Sequence, residues 1–322
     1  MHPAPGLTVA APLPRLNAGM RASPWIQAGL AVFLAALVGT GCGGQEAGGR
    51  QAGPDTVTVV VEPPVASVVR ATVASFNTYY PGHEIVVTTG QAREAMAALF
   101  ENRAQVAVIG RELSDEERQA ARGARVAIEA TRWARDGVAV VVHPSNSVQR
   151  IAFDDLREIY TGKAISWTAV GGSDRRIVPV LQKTETGTTQ FFADHVMAEE
   201  GFTAPALVVD DDSSAIDRVA RDPGAIGFVS LPFADRGVKA LAVSRVKGLP
   251  YVELDAQSVY EGRYPLTRYY NVVLRSPGNP GAEELNTFLC SIDGQKKVMD
   301  TGYVPASVPV NFTHRVPTLP SH

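Results

Sequence analysis

The chain predicts an α/β fold made of two sheet-and-helix units, and three observations carry that expectation. Apolar runs of strand length alternate with stretches of helical spacing from Thr56 onward. One run, Val138 to Val142, is apolar without a break, as in a strand buried on both faces. The length of 322 residues, with 45% hydrophobic and 20% charged, suffices for two lobes with cores of their own.

Each element has a local reason. Val57, Val59 and Val61 alternate as in a strand. Pro63-Pro64 are tolerated in the first turn of a helix, on which Val65, Val69, Val73 and Phe76 keep one face until Pro81-Gly82 break it. A strand over Glu84–Thr89 follows. A helix from Gln91 to Asn102 turns Met96, Leu99 and Phe100 inward, and Gln105–Ile109 is a third strand. Ser114, with Glu117 three residues on, forms a capping box.

The second unit repeats the alternation. Phe153–Tyr160 is a helix ended by Gly162, Ile177–Leu181 a strand, and Thr188–Met197 a helix. Asp212-Ser213-Ser214 cap a helix over Ala215–Arg221, and Ala225–Val229 is a strand. After Tyr264-Pro265 come a strand, Tyr269–Leu274, and helices over Ala282–Cys290 and Gly294–Thr301. Such alternation predicts parallel strands joined by right-handed crossovers. Two such units linked by extended crossings make a hinged clam-shell. Its ligand lies at strand carboxyl ends and helix amino ends.

The N-terminus reads as a targeting segment. Arg21 precedes an apolar core, Ile26–Val38, too short for a comfortable membrane span. Gly39-Thr40-Gly41 then lead to Cys42, placed as the lipid-attachment cysteine of a lipoprotein, although Gly39 stands where such motifs favour Leu. Residues 1–42 are therefore expected to be a signal peptide, with Met20 an alternative start, and residues 43–54 a flexible tether. A net charge of −3 without a basic stripe argues against nucleic-acid binding. Cys42 and Cys290 are the only cysteines, so neither a disulfide framework nor a cysteine-rich metal site is expected. No H-E-x-x-H or Gly-x-Ser-x-Gly pattern points to an enzyme, and no cofactor is expected.

Asp136–Pro144, Phe153–Gly162 with Ser166-Trp167 and Gly171-Gly172, Asp222–Phe228, the return crossing Tyr264–Arg268, and Gly294 through Pro305 together resemble the solute-binding proteins that deliver phosphate to ABC importers. The resemblance implies a two-lobed type II periplasmic-binding-protein fold, with 55–137 and 265–322 as lobe I and 138–264 as lobe II. Each lobe would hold a mixed, mostly parallel sheet flanked by helices, with the ligand cleft between the lobes.

The resemblance also implies a site. Thr186-Gly187-Thr188, followed by Thr189, stands at the family's Ser-Gly-Thr turn; alone it reads as a plain helix cap, and its inter-lobe position favours an anion cradle. The family's arginine falls near Gln182, with Lys183 adjacent as a possible point charge, and both could simply end a strand. In the first lobe, Glu62-Pro63-Pro64 replaces the family's hydroxyl-bearing turn, and Glu62 is expected to face solvent. Gly90, Gln91 and Arg93 stand at its second turn, Arg93 reading somewhat better as part of a solvated helix face. Arg111 remains at the third, as a ligand or as the ion-pair partner of Glu112 or Asp115. Asp210-Asp211-Asp212 reads as solvated acid with helix capping rather than a calcium loop. The expected function is that of a membrane-tethered, extracytoplasmic, monomeric receptor that closes on phosphate or a similar small oxyanion and docks on a permease. The alternative is a scaffold or sensor domain that has lost phosphate binding.

Overall fold

The computed structural model describes residues 55–307; the signal segment, Cys42 and the tether lie outside the described residues. Strand β1 (Asp55–Val61) leads through a 3-10 turn, Pro63–Val65, into α1 (Ala66–Tyr79). Then come β2 (His83–Thr89), α2 (Ala92–Phe100), β3 (Val106–Ile109) and α3 (Asp115–Gly123). A long strand, β4 (Ala127–Val142), is followed by β5 (Arg150–Ala152) and α4 (Phe153–Tyr160). Next are β6 (Val178–Gln182), α5 (Gly187–Phe192), β7 (Leu207–Val209), α6 (Asp212–Arg221) and β8 (Ala225–Ser230). The short strands β9 (Lys239–Ala240) and β10 (Ala242–Ser244) precede α7 (Ala256–Tyr260). The described chain closes with β11 (Thr267–Ser276), α8 (Pro280–Cys290), α9 (Ile292–Asp300) and β12 (Val304–Pro305).

The main sheet runs β2-β1-β3-β11-β4-β8-β6-β7. β1 pairs parallel with β2 and β3, and β6 pairs parallel with β7 and β8. Between these parallel groups β11 and β4 run antiparallel to their neighbours. Both groups are covered on both faces. Val59, Phe76, Trp133, Tyr270 and Leu285 form one core of the first group, and Met96, Leu99 and Ile109 its other. Val140, Trp167, Phe192 and Phe228 form the larger core of the second group, with Val141, Val180, Val219 and Val229 on the opposite face. Double coverage explains why Val138–Val142 is apolar throughout: all five residues are fully buried.

Several expectations meet adjustments. The Ser114 capping box forms as read, Glu117 N donating to Ser114 Oγ at 3.2 Å. The strand expected at Val138–Val142 is the last third of the 16-residue β4. Its first part carries Glu129, Arg132 and Arg135 and shows no apolar run; it is held by a non-local ladder to β11 over its length. The helix expected over Thr188–Met197 begins at Gly187, and its second half, Ala193–Met197, winds as a π-helix.

Candidate functional site

A cavity of about 1170 Å³ opens at the carboxyl ends of β1, β3 and β6, where Glu62, Gly110 with Arg111, and Gly187 line it. The first two come from one parallel group and the third from the other. A crevice beyond strand carboxyl ends is where open α/β sheets place their ligands.

The turn before α5 is built by its threonines. Thr186 is the cap: its Oγ1 accepts from Thr189 N at 3.3 Å and donates to Lys183 O at 2.9 Å. Thr189 Oγ1 donates to Gln182 O at 3.2 Å. These two hydroxyls therefore bind their own turn. The amides of Gly187 and Thr188 open the helix and have no preceding helical carbonyl to bond. Thr188 is fully buried, and its Oγ1 accepts from Arg268 Nη2 at 3.1 Å.

Arg268, on β11, is the buried cation of the cleft. Its Nε donates to Asp136 Oδ2 at 2.9 Å, and its Nη2 donates to Thr188, Ser230 and Tyr270 at 3.1, 3.1 and 2.8 Å. The guanidinium carbon lies 4.9 Å from the Tyr270 ring centre. Its Nη1 is buried and has no hydrogen-bond partner. Arg268 lines the cavity. A buried donor left unpaired costs free energy on the order of 1–3 kcal/mol, so the cleft holds an unmet demand for an acceptor. Sequence reasoning quoted Tyr264–Arg268 as a crossing and passed over this residue. The available signal was one arginine beside the stretch Tyr269–Leu274, apolar but for Asn271.

Glu62 differs from expectation. It is 1% exposed rather than facing solvent, and neither carboxylate oxygen has a hydrogen-bond partner. Its amide donates to Val108 O at 3.1 Å, carrying the β1–β3 pairing one residue further and directing its side chain inward before Pro63 turns the chain. The carboxylate lies against two glycines. A methyl on Gly187 would stand 2.9 Å from Glu62 Cδ, and one on Gly110 would stand 3.0 Å from Glu62 Oε2. Burial pushes the Glu62 carboxyl pKa up, and Asp136 adds to that. The charges of Arg268 and Arg111 and the Gly110 backbone amide oppose the rise without forming a bond of ordinary geometry.

The other expected residues divide. Arg93, Arg111, Gly187 and Thr189 line the cavity. Arg111 is forked onto Glu117, at 2.8 and 2.7 Å, rather than onto Glu112 or Asp115 side chains. Thr188 reaches the cavity through Arg268. Thr186, Gly90, Gln91, Gln182 and Lys183 do not line it. Gln91 forms the capping box of α2 with Glu94, and Gly90 N bonds Val61 O. Gln182 is 3% exposed and donates to Asp212 Oδ1 at 2.8 Å. Lys183 pairs with Asp210 at 2.6 Å in solvent.

Within the acidic triplet, Asp211 caps α6 through Ser214 N at 2.8 Å. Asp212, read from sequence as solvated, is buried instead, accepting from Gln182 and from Ser230 N. Burial raises its pKa to about 6. Among the described residues no group of three metal-ligating side chains comes together.

A family model described as a PBP superfamily domain matches residues 46–292. The phosphate-binding protein PstS of Bacillus subtilis is 30% identical over 174 residues, covering 53% of this chain and 55% of that protein. PstS of Pseudomonas aeruginosa is 23% identical over 247 residues, covering 71% and 76%. The chain thus spans about half the length of the first of these relatives and three quarters of the second. Among solved structures, an ABC-type phosphate transport receptor from Vibrio cholerae superposes with a TM-score of 0.67 at 25% identity, over 78% of this chain and 100% of that one. Two parallel strand groups, a crevice at their carboxyl ends and a match over most of the length lead to one conclusion: the chain belongs to the PBP superfamily and has the two-lobed periplasmic-binding-protein fold.

Proposed function

We propose that the protein is an extracytoplasmic receptor that captures phosphate, or a closely related small oxyanion, and delivers it to an ABC permease. The carrying observation is the buried, unpartnered Nη1 of Arg268, a residue that lines a cavity also lined by Arg111, Arg93 and the start of α5. Charge-assisted bonds made out of water are the strong kind. Lobe I, 55–137 with 265–322, would close on lobe II, 138–264. Arg268 Nη1 and the amides of Gly187 and Thr188 would donate to the anion's oxygens, and Arg111 would add charge at the mouth. The guest is held and released without chemistry, in keeping with relatives named as binding proteins and transport receptors. Cys42 would carry a lipid that tethers a monomer to the membrane; mass spectrometry of the mature N-terminus reads this directly.

Isothermal titration with phosphate and sulfate tests the capture. Saturable heat with phosphate, weakened in Thr188→Val, which removes the hydroxyl holding Arg268, and in Arg111→Met, is the expected result; no heat with either anion defeats the proposal. A second reading, a scaffold that no longer binds anions, is favoured by the buried carboxylate of Glu62 inside the cleft. In that case both substitutions leave partner binding unchanged.

A further inference from the structure

The seat beside Gly187 is already filled by an anionic group of the protein's own. Both Glu62 oxygens are buried, both lack partners, and the three atoms nearest a methyl placed on Gly187 all belong to this carboxyl. A carboxylate and an oxyanion at one spot repel, and burial makes the repulsion strong. We propose that Glu62 is a built-in occupant of the oxyanion seat, which admits an anion only once its carboxyl has taken up a proton.

Four ionisable neighbours bear on that carboxyl. Arg268 and Tyr270 approach from β11, Arg111 from the turn after β3, and Asp136 from β4. Gly187, from α5, brings no charge, whereas Asp194 and His195 line the same cavity further along that helix. With the proton on, Glu62 becomes a donor, and the charges of Arg268 and Arg111 are left to the guest. With the proton off, those two cations are partly spent on Glu62, and an entering anion meets like charge. Capture is then strong at low pH and weak at high pH, and each anion bound above the carboxyl's pKa draws in one proton.

This inference rests on the cleft being an oxyanion seat, and one experiment separates the two claims. Phosphate binding is measured by calorimetry for the wild type and for Glu62→Gln between pH 5 and 8.5. Phosphate's own ionisation is common to both proteins and cancels in the ratio of their Kd values. The ratio is expected to be near one at the acid end and to climb about tenfold per pH unit above the Glu62 carboxyl's pKa, the variant being tighter. A flat ratio, or a variant that binds more weakly throughout, overturns the inference while leaving the receptor function standing. Absence of heat from both proteins at every pH overturns the receptor function and this inference with it. Should Glu62→Gln not fold, the wild type is titrated at pH 5, 7 and 8.5 in two buffers of differing ionisation heat. Proton uptake per phosphate that grows with pH toward one, beyond what phosphate's own ionisation accounts for, supports the inference; no uptake at any of the three overturns it.

Discussion

Gly187→Ala tests the occupied seat without any ligand. The new methyl would stand 2.9 Å from Glu62 Cδ and closer still to its Oε2. The optimum between carbon atoms is about 3.5–4.0 Å, so the carboxyl or the turn must move. The carboxyl has little room, because Gly110 confines it from the other side. Overpacking of this kind costs about 1–3 kcal/mol. Gly187 itself has no left-handed backbone to protect, and alanine at a compatible position stabilises by about 0.4–1 kcal/mol through the unfolded chain. The double-mutant cycle with Glu62→Ala therefore separates the terms. In the wild-type background Gly187→Ala should lower stability by about 1–2 kcal/mol, read from urea unfolding midpoints at constant slope. In the Glu62→Ala background the same change should be neutral or slightly stabilising, a coupling of at least about 1 kcal/mol. An equal cost in both backgrounds would refute the placement of the carboxylate against α5, and the proton-linked capture argued from it.

Two further outcomes follow from the buried charges. Arg268→Met leaves Asp136 buried and unpaired and should cost about 3–5 kcal/mol in chemical unfolding; a loss under 1 kcal/mol would show that the Arg268–Asp136 pair is dispensable. Asp212 has its folded pKa raised from 3.8 to about 6, so its favourable contribution is complete below 3.8 and is lost as pH rises through 6. Asp212→Asn keeps an Oδ1 acceptor for Gln182 and Ser230 and should match the wild type near pH 4. Above pH 7 it should exceed the wild type by up to about 3 kcal/mol. A difference that does not change with pH would refute this.

Much of the architecture was legible because it rests on local periodicity. Val57–Val61, the capping box at Ser114 and the break at Gly162 each announce themselves within a few residues. The first part of β4 did not, since Ala127–Gly137 owes its strand form to a partner some 140 positions away in β11. The cleft divided along the same line. The Thr186–Thr189 turn is a local motif, and it stands at the cleft. Arg268 was missed because its role depends on Asp136, Thr188 and Ser230 converging from three other elements. Glu62 was misplaced because a charged residue before two prolines reads as a surface turn, and only its pairing with Val108 turns it inward. Gln182 stands where the family's arginine falls, and it instead supports Asp212; the cation enters the cleft from a different strand.

β4 has one further consequence. Its first residues pair with β11 beside the first parallel group, and its last residues pair with β8 in the second. No loop interrupts it between Ala127 and Val142. Here the crossing between the two halves is an uncut ribbon, laced to β11 alongside and fastened by the Arg268–Asp136 pair at its middle. Such a crossing has no slack to pay out. Were one half to rotate against the other on closing over a guest, the motion would be stored as torsion in the ribbon, and the jaws would be sprung rather than loosely jointed.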